Sequence, residues 1–436
     1  MLGFLLLLVF AVFAYLMFAR ILPALLAIPM MAVAVAALVG LPFRNILSDI
    51  IAAGSTRLAA AYIAVFAGAM LGRVMIGTGI AEGIIKRAAE FGGERPMIVA
   101  GALMIVTALL FTSLTGLGAI IMVGSLVLPV MMSLGLPRKL AGVLFLLAFA
   151  TGFIFNPALL RILREVVQLA PNAPLPAEVG RFGVGLLVIT TIVITIYAVI
   201  ESRRSATSFW AVKTKGEVLA DGGSQPNGTS STANRRVPFI SFLTPFVPLV
   251  LFYFFGWSEL PAFLGGALFG VLTTSARNSV KQLSAAVVRG VEDGAPAAIL
   301  LIGIGMLLNA LNLPAVKGAL APIVTAIPLD SPISYVLFFG LLSPLALYRG
   351  PLNPFGVGIG VFSIMNTAGV LPALALMAAI MSVVQVQNVC DPTNTQNVWV
   401  ANYTGVRVEE ITKATLLTMM IICFGGLILG AWMFLI

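Results

Sequence analysis

The sequence has no histidine and only two cysteines, Cys390 and Cys423, both in or beside apolar runs. Without imidazole, the common zinc motifs and histidine-dependent catalysis are excluded. Two isolated cysteines also exclude a CxxC metal site and a disulfide framework. Walker, HExxH and GxSxG patterns are missing too. These absences predict a protein that is not an enzyme, has no cofactor and does not use ATP directly.

Charged residues are scarce: they make up 9% of the 436 residues, against about 25% in a soluble domain. Hydrophobic residues make up 60%, and the mean hydropathy is +1.10. Apolar runs of membrane length recur from end to end, which predicts an all-α polytopic membrane protein in a lipid bilayer, with about 10–12 spans. The first run, 2–19, lacks a basic leader and is predicted to be a retained helix.

The net charge of +9 comes mainly from short polar loops. The positive-inside rule explains such an excess without a nucleic-acid partner. One loop, 202–235, is rich in Ser, Thr, Gly and Asn and is predicted to be a flexible cytoplasmic linker. Its basic residues and the one that follows it are Arg203, Arg204, Lys213, Lys215, Arg235 and Arg236.

The chain contains an internal repeat with an offset of 235 residues. Pro137 and Pro157 lie 20 residues apart, and so do their counterparts Pro372 and Pro392. The apolar runs on either side follow the same offset. This pattern predicts two structural repeats, 1–201 and 236–436, on either side of the linker.

Each repeat contains a segment that is unusually rich in residues that break helices. Glycines interrupt 112–136, and both proline and glycine interrupt 348–371. Irregular backbone at membrane depth is tolerated where it lines a protein-enclosed cavity. We therefore predict a re-entrant hairpin in each segment, with a kinked ordinary span as the alternative. Broken transmembrane helices are predicted at 139–160 and 373–397.

The first hairpin carries small and hydroxyl-bearing residues that suit an anion at a helix end. Packing between helices is the alternative role for such residues. Those predicted to bind substrate are Thr112, Ser113, Thr115 and Gly116.

Arg349 is the sharpest single candidate, because it lies in the second predicted hairpin. An arginine in mid-membrane costs about 2.5–3.5 kcal/mol unless it is paired or hydrated. A substrate carboxylate would pair with its planar guanidinium. The alternative is an interfacial arginine whose head reaches the lipid headgroups. Subtracting the offset of 235 from 349 gives position 114, which lies in the first hairpin. Arg349 and the first hairpin therefore occupy equivalent places in the two repeats and are expected to face one shared site.

Amides and hydroxyls cluster around the second helix break. Asp391, its only acid, is predicted to hold the coupling ion, either H⁺ or Na⁺; an N-cap is the alternative. Asn156 is its counterpart in the first repeat. The other residues predicted to bind substrate are Asn353, Asn388, Thr393 and Asn394, and those predicted to assist the coupling ion are Thr151 and Thr395. Arg161, Arg164 and Glu165 are predicted to form a solvated face.

The stretch GAMLGRVMIGTGIAEGIIKRAAEFGGERP (68–96) precedes an apolar span, a Ser/Thr/Gly-rich hairpin, Leu-Pro, another span and an interrupted Asn-Pro. This order resembles the ion-transporter superfamily of secondary carboxylate transporters, which includes citrate and gluconate symporters and lactate permeases. The resemblance implies inverted repeats, elevator-type alternating access and a homodimer. Thr112, Ser113 and Thr115 stand where some members have Ser-Asn-Thr.

We therefore predict a secondary active transporter of a small organic anion, a carboxylate, coupled to H⁺ or Na⁺ in the plasma membrane, such as a bacterial inner membrane. The alternative is a cation/proton antiporter of the same architecture, in which Asp391 is the exchanging acid. A fixed positive charge at Arg349 argues against the antiporter, since it would repel a cation.

Overall fold

The computed structural model describes residues 2–19, 21–91, 96–169, 175–209, 237–275, 279–329 and 331–436. Within these residues the chain is helical or irregular and contains no strand, as the prediction of an all-α fold requires. The end of α11 reaches into the predicted linker, and the rest of the linker, 210–235, lies outside the described residues.

The first half consists of eleven α-helices and one π-helical segment among the described residues. In chain order they are α1 (Leu2–Phe18), α2 (Ala24–Leu38), α3 (Phe43–Asn45), the π-helical segment (Ile46–Ala52), α4 (Ala53–Arg57), α5 (Ala59–Gly77), α6 (Ile80–Phe91), α7 (Pro96–Phe111), α8 (Leu117–Ser133), α9 (Arg138–Phe153), α10 (Pro157–Val166) and α11 (Ala177–Phe209).

The second half repeats this order. It contains a 3-10 segment (Phe239–Phe246), α12 (Val247–Tyr253), α13 (Glu259–Ser275), α14 (Ser279–Leu311), α15 (Pro314–Thr325), α16 (Pro332–Leu342), a second 3-10 segment (Ser343–Arg349), α17 (Gly358–Thr367), α18 (Ala373–Cys390), α19 (Thr395–Thr404) and α20 (Val408–Phe434). Pro137 and Pro372 stand before α9 and α18 with the same backbone angles, φ −55° and ψ 140°. The offset therefore relates elements of structure and not only residues.

Two equivalent helical segments cross at the centre of the molecule in antiparallel register. A Cβ on Gly54 would meet Met306, and one on Gly290 would meet Met70, while Gly294 lies against Phe66. Among these contacting pairs, the residue number rises along α4 and α5 while the number of the partner falls along α14, so the two segments run in opposite directions. A two-fold relation between equivalent helices that run antiparallel is the relation of inverted repeats.

The broken helices lie in the interior. Every residue of α9 from Leu140 to Gly152 is buried, and so is every residue of α18 from Ala375 to Cys390. Helices that are apolar on all sides are expected in such positions. By contrast, α11 exposes Val184, Val188, Ile192 and Ile196 at a helical spacing of four residues, as a helix facing lipid would.

Six helical segments of the described chain are long and apolar enough to cross a membrane, or up to seven if the bent pair α9 and α10 counts as one span. The bend between α9 and α10 is 62°. Seven further apolar helices are shorter, at 10–17 residues. The predicted total of about 10–12 spans is reached only if several of these shorter helices cross as well.

The two interrupted segments differ in detail from helix-turn-helix hairpins within 112–136 and 348–371. Each range contains one helix, α8 or α17, and the irregular backbone lies before it. We name residues 112–116 the first tip and residues 343–357 the second tip. The helix on the other side is α7 or α16, which the sequence pattern alone suggested were separate spans.

One prediction about the surface is wrong. Arg161, Arg164 and Glu165 do not form a solvated face, because both arginines are buried on α10. Arg161 pairs with Glu165 at 2.9 Å, and Arg164 lies 4.0 Å from buried Glu259 at the start of α13. Helical spacing of charges indicated solvent, but here it produces one ion pair within α10 and one that links the first repeat to the second.

Candidate anion site

A cavity of about 1000 Å³ lies where the two halves meet. Its walls come from the first tip and the start of α8, from the middle of α14, from the second tip and from the break between α18 and α19. Apolar side chains, including Phe111, Phe149, Phe153 and Phe355, line the remainder. Largely apolar cavities with a few converging polar groups are typical of small-molecule sites.

The cavity brings together about half of the predicted site residues. Those that line it are Thr115, Gly116, Arg349, Asn388, Thr393, Asn394 and Thr395. The cavity thus has Arg349 and the first tip on its walls, as the shared-site hypothesis expects. The predicted residues that do not line it are Thr112, Ser113, Thr151, Asn156, Asn353 and Asp391.

Arg349 reaches the cavity because the backbone of the second tip turns sharply. Tyr348 and Arg349 adopt left-handed φ values of 54° and 60°, which side chains other than glycine rarely accept. The 3-10 segment ends there, and Gly350 follows in an extended conformation. The half-buried guanidinium donates one hydrogen bond, from Nη1 to the Phe355 carbonyl at 3.2 Å. Its other N–H groups remain for a ligand.

Asp391 helps to hold the sharp turn at Tyr348 and Arg349. It is fully buried, and its carboxylate accepts from the Tyr348 backbone N–H at 3.0 Å and from Asn353 Nδ2 at 2.9 Å. It also accepts from the backbone N–H and the hydroxyl of Thr393, at 2.9 and 2.7 Å. The carboxylate therefore joins the second tip to the segment leading into α19, whose N-cap residue is Asn394 and not Asp391.

Asn156 makes the equivalent connection in the first repeat with the opposite polarity. Its Nδ2 donates to the carbonyls of Phe111 and Leu114, both at 3.1 Å, and its Oδ1 caps α10 by accepting from the Ala158 N–H. The first tip presents carbonyls and therefore needs a donor. The second tip presents N–H groups and therefore needs an acid.

The hydroxyl groups of the first tip point to backbone partners. Ser113 donates to the Pro245 carbonyl at 2.5 Å, Thr115 to the Val65 carbonyl at 2.9 Å, and Thr112 to the Leu109 carbonyl at 2.6 Å. Thr151 likewise donates to Leu147 within its own helix. These contacts fix the tip on α5 and on the second half, which is the packing role left open above.

The helix break supplies polar groups with unused hydrogen-bonding capacity. Asn394 and Gln387 bind each other, through Gln387 Nε2 to Asn394 Oδ1 and Asn394 Nδ2 to the Gln387 carbonyl, both at 2.8 Å. Asn388 Nδ2 and Gln387 Oε1 are buried without a hydrogen-bond partner in the protein. An unpaired buried polar group costs about 1–3 kcal/mol, and a ligand in the cavity would recover part of that cost.

Several cavity residues escaped the sequence-based prediction. Gln387 and Gln396 belong to the same polar helix break as the predicted residues, but neither was assigned to the site. Asp293 lies in the middle of α14. The available signal was an acid inside an uninterrupted helical stretch of membrane length. Arg407 and Glu409 line the cavity just before and at the start of α20.

Comparison with known proteins gives a likeness of fold. No protein-family model matches the chain, and no curated protein matches it in sequence. The crystal structure of the YdaH transporter of Alcanivorax borkumensis, described as having an unusual topology, matches it with a TM-score of 0.58 at 14% sequence identity. The match covers 89% of this chain and 87% of the transporter. The resemblance to the ion-transporter superfamily stays a prediction.

Proposed function

We propose that this protein is a secondary active transporter of a small organic anion, a carboxylate, and that the cavity is its binding site. The observation that carries the proposal is that Arg349 and Asn388 line the same cavity. Arg349 brings a positive charge with N–H groups to spare, and Asn388 Nδ2 is a buried donor without a partner. Carboxylates bind such converging donors well.

The architecture favours a transporter, rather than a receptor whose binding site does not move. Broken helices in two inverted repeats place irregular backbone around a cavity, and this arrangement is that of transporters with alternating access. The solved structure of similar fold is itself a transporter. Elevator-type movement, a homodimer, an inner-membrane location and a cytoplasmic linker belong to the same proposal.

A cation/proton antiporter built on Asp391 has less support. Asp391 does not line the cavity, and both of its carboxylate oxygens accept hydrogen bonds from the two segments that they join. Exchange of a proton or a cation there would disrupt the second tip. Among the described residues there is no group of three or more His, Cys, Asp or Glu residues that could hold a metal ion.

Thermal-shift measurements on purified protein test the proposal. The ligands are acetate, lactate, succinate, citrate and gluconate, each with and without Na⁺. We expect at least one to raise the unfolding temperature of the wild type, since a ligand at 100 times its dissociation constant adds about 2.7 kcal/mol. Arg349→Ala should abolish the shift, and Arg349→Lys should weaken it, because lysine lacks the planar fork. An equal shift in Arg349→Ala would contradict the proposed site.

A further inference from the structure

The cavity wall formed by α14 carries an acid, Asp293, whose carboxylate is held by an arginine from α5. Arg73 Nε lies 2.5 Å from Asp293 Oδ2, and Arg73 Nη2 lies 2.6 Å from Asp293 Oδ1. This two-point geometry is the strong form of a charged hydrogen bond. The side chains are 12% exposed for Asp293 and 27% exposed for Arg73, so the pair is largely shielded yet reaches the cavity.

Asp293 lies near the middle of Val280–Leu311, a helical segment long and apolar enough to cross a membrane. The antiparallel register of α5 and α14 places Ile63 opposite Ala297, and the repeat counterpart of Ile63 is Ala298. The two-fold axis therefore passes near these residues, at the middle of the bilayer. Asp293 is about five residues away, roughly 7 Å at 1.5 Å per residue. An ionisable residue in such a segment is costly unless it is paired, and Arg73 pairs with Asp293.

The first tip rests directly on this ion pair. A Cβ on Gly118 would overlap the Asp293 carboxylate, and one on Gly116 would come within 3.2 Å of the Asp293 carbonyl. The positive end of α8 thus faces the carboxylate. Any movement of the first tip away from α14 removes this contact.

We propose that Asp293 is the residue through which protons drive transport, and that the first tip is docked on the Arg73–Asp293 pair only while Asp293 is ionised. This inference rests on the proposed function. Proton uptake converts the carboxylate into a neutral acid, breaks no covalent bond and leaves Arg73 charged. The positive end of α8 and Arg73 then lose their counter-charge, so the tip is released while an anion occupies the cavity.

The surroundings favour a proton over Na⁺ at this carboxylate. The guanidinium of Arg73 already occupies both oxygens and would repel a metal cation. Helices α2 and α8, which pack against α14, carry no charged residue. Arg349 stands on another wall of the same cavity, and the neighbours Arg289 and Glu292 on α14 are exposed. Arg407 and Glu409 also line the cavity, but Asp293 is the acid that lies against Gly118 at the start of α8.

Two measurements on matched variants test the role. The first measurement needs no substrate. A cysteine introduced at Leu117, on the cavity wall at the start of α8, is labelled with a maleimide in the wild-type background and in Asp293→Asn. The two native cysteines are buried. We expect labelling of the Asn variant to be several-fold faster, because the neutral side chain imitates the protonated acid. Glu292→Gln is the control and should label as the wild type does.

The second measurement uses proteoliposomes and the carboxylate with the largest thermal shift in the panel above. Asp293→Asn should exchange it across the membrane but fail to accumulate it when a pH gradient is imposed, whereas Asp293→Glu should restore accumulation. A variant damaged only in its structure would lose exchange as well. If the Asn variant does not fold, Asp293→Ser removes the same negative charge and should speed labelling in the same way.

The outcomes separate this inference from the proposed function. Wild-type accumulation by Asp293→Asn, or unchanged labelling at position 117, would overturn the role of Asp293 while anion transport stands. Faster labelling with no shift by any carboxylate would leave the docking role in place and contradict the proposed substrate.

Discussion

At the scale of single residues, the two helix breaks show that equivalent positions of the two repeats can carry side chains of different chemistry. Asn156 and Asp391 are counterparts, and each joins a break to the tip of its own half. The carbonyls of the first tip require a donor, and the N–H groups of the second tip require an acceptor. The two side chains are therefore expected to be specific to their sites although they differ by only one group.

Exchanging them tests this specificity. Asp391→Asn turns an amide donor toward groups that already donate, and we expect it to lower the free energy of unfolding by about 2–4 kcal/mol. Asn156→Asp places an acceptor-only group against two carbonyls and should cost a similar amount. Denaturant unfolding in detergent measures both, with the exposed Glu292→Gln as the control. Normal stability of Asp391→Asn with loss of uphill accumulation would instead favour Asp391 as the coupling acid.

The residue scale also marks the limit of prediction from sequence. Arg349, Asn388, Thr393 and Thr115 were identifiable because polar groups are costly within apolar runs. The same criterion selected Thr112, Ser113 and Thr151, whose hydroxyl protons are donated to nearby backbone carbonyls. Composition records that a polar group is present, whereas its partner depends on the packing of distant segments.

At the scale of elements, the sequence pattern placed the helix breaks well. Pro137 and Pro372 begin α9 and α18, and α9 and α18 end just before Asn156 and Asp391. The tips were harder to place, because each one lies between two helices that read as apolar runs. The antiparallel crossing of α5 and α14 depends on contacts such as Gly54 with Met306, which leave no local signal.

Between elements, each half depends on the other. Helix α8 packs on α19, where Gly124 leaves room for Trp399, and α10 packs on α17. Ser113 of the first tip binds Pro245 in the second half. The cavity itself has walls from both repeats. We therefore expect neither half to form the site alone.

At the scale of the whole molecule, these contacts between the halves predict that the two halves stay together when the chain between them is cut. We expect a protease site placed within 210–235 to be cut without dissociation, because the contacts that hold the halves together lie elsewhere. The measurement is co-purification of the two fragments, followed by the thermal shift with the best carboxylate. Intact chain carried through the same protease treatment is the control. Separation of the fragments, or loss of the shift after cleavage, would show that the linker contributes to the fold or the site.

The whole-molecule claim is that one anion occupies a cavity shared by the two inverted repeats. The most direct measurement is protection of single cysteines on opposite walls, at Leu117 beside the first tip and at Thr393 in the second helix break, by the carboxylate that gives the largest thermal shift. We expect that carboxylate to slow maleimide labelling at both positions with the same half-saturating concentration, and Arg349→Ala to remove both effects. Protection at one wall only, or protection that survives in Arg349→Ala, would contradict a shared anion site.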